Sequence, residues 1–577
     1  MDVKDTDKES MTGSEALVNS LLAAGVDTIF GYPGGAIMPV FDALYHHKKE
    51  LNHILVRHEQ GAIHAAQGYA RASGQVGVTL VTSGPGATNL ITGLTDAMMD
   101  STPLVVISGQ VNSKLLGSDA FQEADVISLA LPVTKWVVQV RRAEDIATAI
   151  SKAFYIASTG RPGPVLLDIT KDAQINSCQF SYAPTTYLRS YMPVPETAAH
   201  QIAQAAELIN SAKRPLVLLG QGVLLGKAEQ EVLEFLEKGD LPFASTMLGL
   251  SAIPSNHPLN FGMLGMHGNV SPNMNTNACD VLIAIGMRFD DRVTGSLDSY
   301  APQAKVVHFD IDLAELNKNV ICEVTVPGNV KQTIPQVTTL LKAGNHSAWK
   351  ESFSPWDTQE FDEVIAGELF PNTPALKMGE VVHHITQATQ NKAICVTDVG
   401  QNQMMSARYF KFTEPRSLIT SGGLGTMGFG LPAGIGAKFG APDRTVCIFV
   451  GDGGLQMTLQ EFGTIMQYNL NVKIILLNNN FLGMVRQWQE MFFENRYSET
   501  EMVNPDFIKI AEAYRIKSRK VSQRSELDEA VREMLAHDGA YFLEAVVENK
   551  GMVFPMIPAD SCVTNIILKP SLQEKEK

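Results

Sequence analysis

The chain has 577 residues, 45% hydrophobic and 19% charged, with a formal net charge of −15. That length suggests three or four domains, and the composition suggests a globular protein with large cores. The acidic balance argues against nucleic acid or an anionic membrane as a general partner, and no apolar run is long enough to span a membrane.

The start of the chain is polar and charged, with no apolar signal core. A cytoplasmic protein, or the mature form of an organellar one, is expected. The six cysteines, Cys178, Cys279, Cys322, Cys395, Cys447 and Cys562, form no CxxC pair, so no zinc or redox motif is present. Cys395 and Cys447 lie in apolar runs and read as core thiols.

Three α/β blocks follow one another. The first, 10–173, alternates strand-like runs at 28–30, 54–56, 78–81, 104–107 and 165–168 with helical patterns at 14–24 and 61–73. That alternation predicts a doubly wound parallel sheet. A polar stretch with Tyr and Pro, 174–196, reads as a linker. The second block, 197–343, has strands at 215–219, 281–285 and 305–309. A loose stretch, 343–374, leads to the third block, 375–569, and the Lys- and Glu-rich tail at 573–577 is expected to fray.

The third block carries the sharpest signal. An apolar run, 445–450, enters Gly451-Asp452-Gly453-Gly454, and a second, 472–477, enters Asn478-Asn479. A helix is expected at 455–468. The right-handed crossover of a βαβ unit brings both strand ends to one sheet edge. There an Asp carboxylate and an Asn amide oxygen converge, hard ligands suited to Mg²⁺ carrying a diphosphate. GDG alone is common and fits an ordinary tight turn. Paired with the Asn doublet, it resembles the signature of thiamine diphosphate (ThDP) enzymes.

In the first block, Arg57-His58-Glu59-Gln60-Gly61-Ala62 follows a strand and opens a helix. Ala62 stands where a zinc-protease HExxH motif needs its second His. Glu59 can cap the helix. In ThDP chemistry, a carboxyl on N1′ of the aminopyrimidine favours the imino tautomer that removes the weakly acidic thiazolium proton, and such a Glu is expected in an apolar pocket. The cofactor must also bend into a V. Met427, in the glycine-rich run 424–430, is the candidate residue under the bend; core filler is the alternative.

The wider set of motifs is similar to the catalytic subunits of the acetohydroxyacid synthase (biosynthetic acetolactate synthase) family. They include Gly31-Tyr32-Pro33-Gly34-Gly35, the RHEQGA run, Thr82-Ser83-Gly84-Pro85-Gly86, Gly265-Met266-His267-Gly268, Arg288-Phe289-Asp290-Asp291-Arg292 and Gly483-Met484-Val485-Arg486-Gln487-Trp488. The resemblance spans nearly the whole chain. It implies three doubly wound domains, with ThDP-binding folds first and third and a Rossmann-like FAD-binding domain between them.

The activity it implies is decarboxylation of pyruvate on ThDP and ligation of the hydroxyethyl unit to a second 2-oxoacid. The products are 2-acetolactate or, with 2-oxobutanoate, 2-aceto-2-hydroxybutanoate, precursors of branched-chain amino acids. Glu59 would hold the aminopyrimidine. Asp452, Asn479 and the Phe481 carbonyl would ligate Mg²⁺. Gln401, Gly425, Met427, Gly451, Gly453 and Gly454 would line the cofactor. Arg292 would pair with the acceptor carboxylate, an ion pair within RFDDR being its alternative. Trp488 would wall the acceptor pocket, and Phe121, Gln122 and Lys171 would line the channel.

Arg161, Gly220, Gly222, Thr246, Leu248, Gly265, His267, Arg288, Asp310 and Asp312 match the family's FAD segments. In that family the flavin does no net redox work. A homodimer or homotetramer sharing Glu59 and Asp452 between subunits is implied, with a possible separate small regulatory subunit. Three positions depart from the family: Gly454 for Ser, Asn402 for His and Asn329 for Asp.

Three rival readings stand beside this one. The nearest is another ThDP enzyme, such as an FAD-independent catabolic acetolactate synthase or an oxidase; the RFDDRVTG run argues against the former. A nicotinamide oxidoreductase rests on Gly220-Gln221-Gly222, which continues as GxGxxxG rather than GxGxxG. A non-catalytic partner would not need intact Glu59, Asp452 and Asn479.

Overall fold

The computed structural model describes residues 10–570; the first nine residues and the tail at 573–577 lie outside the described residues. Strand β1 (Ser10–Thr12) opens the described chain. Next come β2 (Thr28–Gly31), β3 (Asn52–Leu55), β4 (Gly77–Val81), β5 (Leu104–Gln110), β6 (Trp136–Val140) and β7 (Pro164–Thr170), which form a parallel sheet in the order β3-β2-β4-β5-β7-β6. β8 (Ser177–Gln179) returns antiparallel to β1, inside the stretch expected to be a plain linker.

The middle block supplies β9 (Pro215–Leu219), β10 (Phe243–Ser245), β11 (Asn260–Met263), β12 (Val281–Ile285), β13 (Lys305–Asp310) and β14 (Val324–Pro327). Their order, β11-β10-β9-β12-β13-β14, is that of dinucleotide-binding sheets, with its switch point between β9 and β12. The third block supplies β15 (Ile394–Thr397), β16 (Leu418–Ile419), β17 (Val446–Gly451), β18 (Lys473–Asn478), β19 (Lys517–Val521) and β20 (Tyr541–Val546), ordered β16-β15-β17-β18-β20-β19. Counted from its own first strand, this order repeats that of the first sheet.

All three sheets are parallel, and their inner strands are buried along both faces, which accounts for near-continuous runs such as Val446-Cys447-Ile448-Phe449-Val450. Cys395 and Cys447 are buried, register-paired on β15 and β17, and free. Burial raises both thiols, Cys447 to about 12, so neither is a ready nucleophile.

The chain divides into two compact units that do not follow chain order. One comprises Met1–Pro193, Ser421–Asp443 and Met457–Val472; the other comprises Val194–Thr420, Arg444–Gln456 and Lys473–Lys577. Within the first unit, the helix Glu59–Ser73 crosses the helix Gly430–Gly440. A Cβ on Gly68 would overlap the Ala433 carbonyl, and one on Gly436 would overlap that of Ala65. This close crossing fixes the helix that begins with Glu59.

Two sequence expectations change. The stretch 343–374 is not loose: it folds as Ser347–Glu351, Ser354–Glu360, a π-turn at Phe361–Ile365, and Ala366–Leu369. Its Trp349 and Phe353 are buried, Trp349 Nε1 donates to the Pro215 carbonyl (2.8 Å), and Glu360 pairs with Arg408. Scattered Pro and Ser masked these anchors.

The helix expected at 455–468 starts at Asp452 and breaks. Asp452–Thr458 and Phe462–Tyr468 flank a 3₁₀ turn, Leu459–Glu461. Thr458 leaves helical geometry (φ −138°), and its hydroxyl donates to the Gly428 carbonyl at 3.0 Å.

Candidate active site

Glu59 sits at the first turn of its helix, next to the N-cap His58, whose Nδ1 accepts from Gln60 N (3.1 Å). It is half-buried, and its Oε2 accepts from Asn89 Nδ2 at 2.9 Å. A Cβ on Gly86 would stand 3.5 Å from Oε1, so the TSGPG run lies beside the carboxylate. The surroundings are therefore polar as well as apolar, because Asn89 comes from the same turn.

The strand end before Glu59 is braced by Glu461, which is fully buried. Glu461 Oε1 accepts from the N–H groups of Arg57 (3.0 Å) and His58 (3.1 Å), and Oε2 accepts the Thr464 hydroxyl (2.6 Å). The break in the helix turns Glu461 toward this strand end. Burial raises its carboxyl and these donors oppose the rise.

In the same unit, Gln122 (φ +60°) packs beside Gly84, Phe121 is 89% exposed, and Lys171 opens a short helix at the end of β7. Gly425 (φ +69°) and half-buried Met427 lie on the segment that precedes the helix Gly430–Gly440.

In the second unit, β17 and β18 are parallel neighbours with Gly451 opposite Leu477, so Asp452 and Asn479 leave the sheet at one edge. Both are buried. Asn504 Nδ2 ties the two strand ends together, donating to Asp452 Oδ2 (2.6 Å), Asn480 Oδ1 (3.0 Å) and Asn478 Oδ1 (3.2 Å). Asn479 Oδ1 accepts from Phe481 N (3.1 Å), and its Nδ2 donates to Gln401 Oε1 (3.1 Å). Gln401 is further fixed by the Gly551 carbonyl and by Gln487.

Among the described residues, no three His, Cys, Asp or Glu side chains gather to hold a metal ion. A metal at this edge would need a mixed oxygen set, and the side chains present supply one carboxylate, Asp452, and one amide, Asn479. Burial pushes the Asp452 carboxyl up, and an adjacent dication would offset that desolvation. The donor set fits Mg²⁺.

Gly454 turns out to be sterically demanded. A Cβ there would overlap Oδ1 of the fully buried Asp398, which accepts from Val399 N at 2.9 Å. Asn402, the other departure in this region, donates to the Val399 carbonyl (3.3 Å), and its Oδ1 is buried without a hydrogen-bond partner.

At the middle sheet's switch point, Gly220 and Gly222 pack against Gly286 (φ +61°). A Cβ on Gly222 would stand 2.5 Å from Gly286 Cα, so the two strand ends meet backbone to backbone. Thr246 caps the 3₁₀ turn Met247–Gly249 that holds Leu248. Gly265 N donates to Asn273 Oδ1 (3.0 Å), and His267, buried, bonds the Pro555 carbonyl (3.1 Å). Burial pushes the His267 imidazole down to about 4, so it is neutral and Nδ1 is the donor.

Asp310 Oδ1 accepts from Asp312 N at the end of β13, and half-buried Arg288 lies just past β12. Asn329, the third departure, caps the helix Val330–Leu340 through Lys331 N (2.9 Å). Arg161 belongs to the other unit, where its Nε donates to Ser101 Oγ at 2.9 Å.

Arg292 is exposed and loosely engaged, 3.6 Å from Asp291 and 3.7 Å from the Met266 sulfur. Its own carbonyl accepts from Met266 N (2.7 Å), which joins the GMHG and RFDDR runs. Trp488 is half-buried on the helix Gly483–Phe492 and stacks obliquely on Phe492 (5.1 Å).

Sequence reasoning missed Glu461, Asp398 and Asn504, and gave Gln487, present in a motif, no role of its own. Glu461 carried a readable signal, a carboxylate inside an otherwise apolar face. Asn504, in an irregular segment, carried none.

The N-terminal TPP binding domain of thiamine pyrophosphate enzymes matches residues 11–129, the central domain matches 202–337, and the C-terminal TPP binding domain matches 398–545. The chain is 43% identical to a probable acetolactate synthase large subunit of Methanococcus aeolicus, covering 96% of this chain and 95% of that protein. It is 42% identical to the acetolactate synthase large subunit of Haemophilus influenzae, over 98% and 100% of the two chains. Against the acetolactate synthase isozyme 3 large subunit of Escherichia coli the identity is 41%, over 95% and 97%. With three domains in order and relatives along almost its whole length, this chain belongs to the acetolactate synthase large-subunit family of thiamine diphosphate-dependent carboligases.

Proposed function

We propose that the chain decarboxylates pyruvate and joins the two-carbon unit to a second 2-oxoacid. The products would be 2-acetolactate from pyruvate and 2-aceto-2-hydroxybutanoate from 2-oxobutanoate. The observation that carries this reading is the oxygen-lined edge of β17 and β18, with Asp452 and Asn479 at adjacent strand ends, in a chain whose relatives match over nearly their full length.

Bound in that cradle, thiamine diphosphate supplies an acidic ring C–H beside a cationic nitrogen that serves as electron sink. Asp452, Asn479 and the Phe481 carbonyl would hold Mg²⁺, and Gly451, Gly453 and Gly454 would let the backbone come close to a diphosphate. Gln401, fixed by Asn479 and Gly551, lines the cofactor. Glu59 would hold a proton at N1′ of the aminopyrimidine, and Gly425 and Met427 would support the bent cofactor. The loose engagement of Arg292 leaves its planar guanidinium available for bidentate binding of the acceptor carboxylate. Trp488 walls the acceptor pocket, and Phe121, Gln122 and Lys171 line the approach.

FAD is proposed at the middle sheet, supported by its strand order and by the glycine contact of Gly220 and Gly222 with Gly286. Thr246, Leu248, Gly265, His267, Arg288, Asp310, Asp312 and Arg161 complete that assignment. The proposed domain bounds are 10–173, 197–343 and 375–569. A homodimer or homotetramer that shares Glu59 and Asp452 between subunits is part of the proposal, as the family resemblance implies. A cytoplasmic setting and a separate small regulatory subunit complete the proposal. No described helix is long and apolar enough to cross a membrane.

The test is a product assay with pyruvate, with and without 2-oxobutanoate, in the presence of ThDP, Mg²⁺ and FAD, on wild type and Trp488→Leu. Wild type should form both hydroxyacids. The variant should shift the ratio toward 2-acetolactate by roughly tenfold, since one buried methylene is worth about 1–3 kcal/mol. Formation of neither product by wild type would overturn the function. A parallel fall of both in the variant would overturn the role of Trp488.

A further inference from the structure

The helix Ile91–Met99 ends on two carboxylates one turn apart, Asp96 and the C-cap Asp100. Both are buried, at 0% and 1% exposure. A helix C-terminus disfavours negative charge, so acids there need a compensating partner. Arg71 supplies one, with Nη2 2.8 Å from Asp100 Oδ2. Its Nε donates to Thr102 Oγ1 (3.2 Å), and its guanidinium lies over the Phe429 ring (5.6 Å).

Both oxygens of Asp100 and one of Asp96 engage a single chain segment. Asp100 accepts from Gly422 N (2.8 Å, Oδ2) and Gly423 N (2.7 Å, Oδ1). Asp96 Oδ1 accepts the Ser421 hydroxyl (3.0 Å), and that hydroxyl oxygen accepts from Thr426 N (2.8 Å). Two acidic side chains thus close the glycine-rich loop 421–426 onto the helix from both ends. A loop with four glycines among its residues 421–428 has high conformational freedom unless it is tied down.

We propose that Asp100, with Asp96, is a positioning residue that clamps the loop carrying Gly425 and Met427 and so sets the shape of the cofactor seat. This rests on the reading of Met427 as the residue under the bent cofactor. Asp100 touches no reacting atom; it acts through two N–H donors. Arg71, 2.8 Å from Asp100 Oδ2, supplies the countercharge, and each Asp100 oxygen accepts one of the two glycine N–H groups.

The test uses Asp100→Asn in the whole protein. The amide can accept with one oxygen only, so one glycine N–H loses its partner. Amide hydrogen exchange within 421–427 should rise by about tenfold or more, the scale of one hydrogen bond to a charged group. Exchange of the C2 proton of bound ThDP should slow in parallel, and Asp100→Glu should recover part of both. If Asp100→Asn does not fold, Ser421→Ala, which removes only one hydroxyl, should show the same two changes at smaller size.

Unchanged amide protection overturns the clamp. Lost protection with unchanged C2 exchange overturns its bearing on the cofactor. Met427→Ala separates the two readings: unchanged C2 exchange in that variant defeats the role of Met427, while the amide measurement still decides the clamp.

Discussion

Glu461 Oε1 accepts the backbone N–H groups of both Arg57 and His58, the two residues immediately before Glu59. A buried carboxylate about four hundred residues further along the chain therefore fixes the strand exit from which the candidate acid–base residue projects. Gly61 makes room for it, because a Cβ there would overlap Glu461 Oε1.

Glu461→Gln follows from this geometry. One oxygen becomes an NH₂ group that faces N–H or O–H donors, and at least one donor is left unpaired. The variant should lose about 1–3 kcal/mol of unfolding free energy, measured by urea unfolding. Wild-type stability would show that the two N–H groups do not depend on Glu461.

Gly454→Ser restores the residue common in the family. Here it should do harm, since the new Cβ overlaps Asp398 Oδ1 and must push that carboxylate off Val399 N. Overpacking on the scale of about 1–3 kcal/mol predicts roughly tenfold weaker ThDP·Mg²⁺ binding or more. Titration of apoprotein with the cofactor measures it. Equal or tighter binding would show that Asp398 moves freely.

The pH dependence of stability should carry the mark of Asp96. Burial, then repulsion from Asp100, pushes its carboxyl up to about 7. Its Oδ2 is buried without a hydrogen-bond partner, 3.9 Å from Nδ1 of a buried His64 whose imidazole desolvation holds at about 3. Between about pH 4 and about pH 7 the folded state keeps a proton that the unfolded state releases, so this group's contribution to stability falls as pH rises through that window. Asp96→Asn removes the slope. Urea unfolding of both proteins across the window should show the variant gaining on wild type as pH rises, and parallel curves would contradict it.

The sheets were legible because parallel strands buried on both faces read as unbroken apolar runs. The runs before Asp452 and Asn478 end within a residue of β17 and β18. Tertiary anchors were not legible. Thr458 breaks a helix by bonding Gly428, and Asp100 ties down Gly422 and Gly423 from more than three hundred residues away; neither leaves a local pattern. The helices of 343–374 leave no clear pattern for the same reason, since Trp349 and Glu360 find Pro215 and Arg408 only in the fold.

The most direct measurement is exchange of the C2 proton of bound ThDP in Glu59→Gln. The amide keeps the shape and the Asn89 neighbourhood but cannot hold the proton at N1′ as a carboxyl does. Exchange should slow by at least ~10², the scale of a general acid–base contribution, while ThDP binding persists through Asp452 and Asn479. Exchange at the wild-type rate, with ThDP bound, would contradict the assignment of Glu59 and the active site built around it.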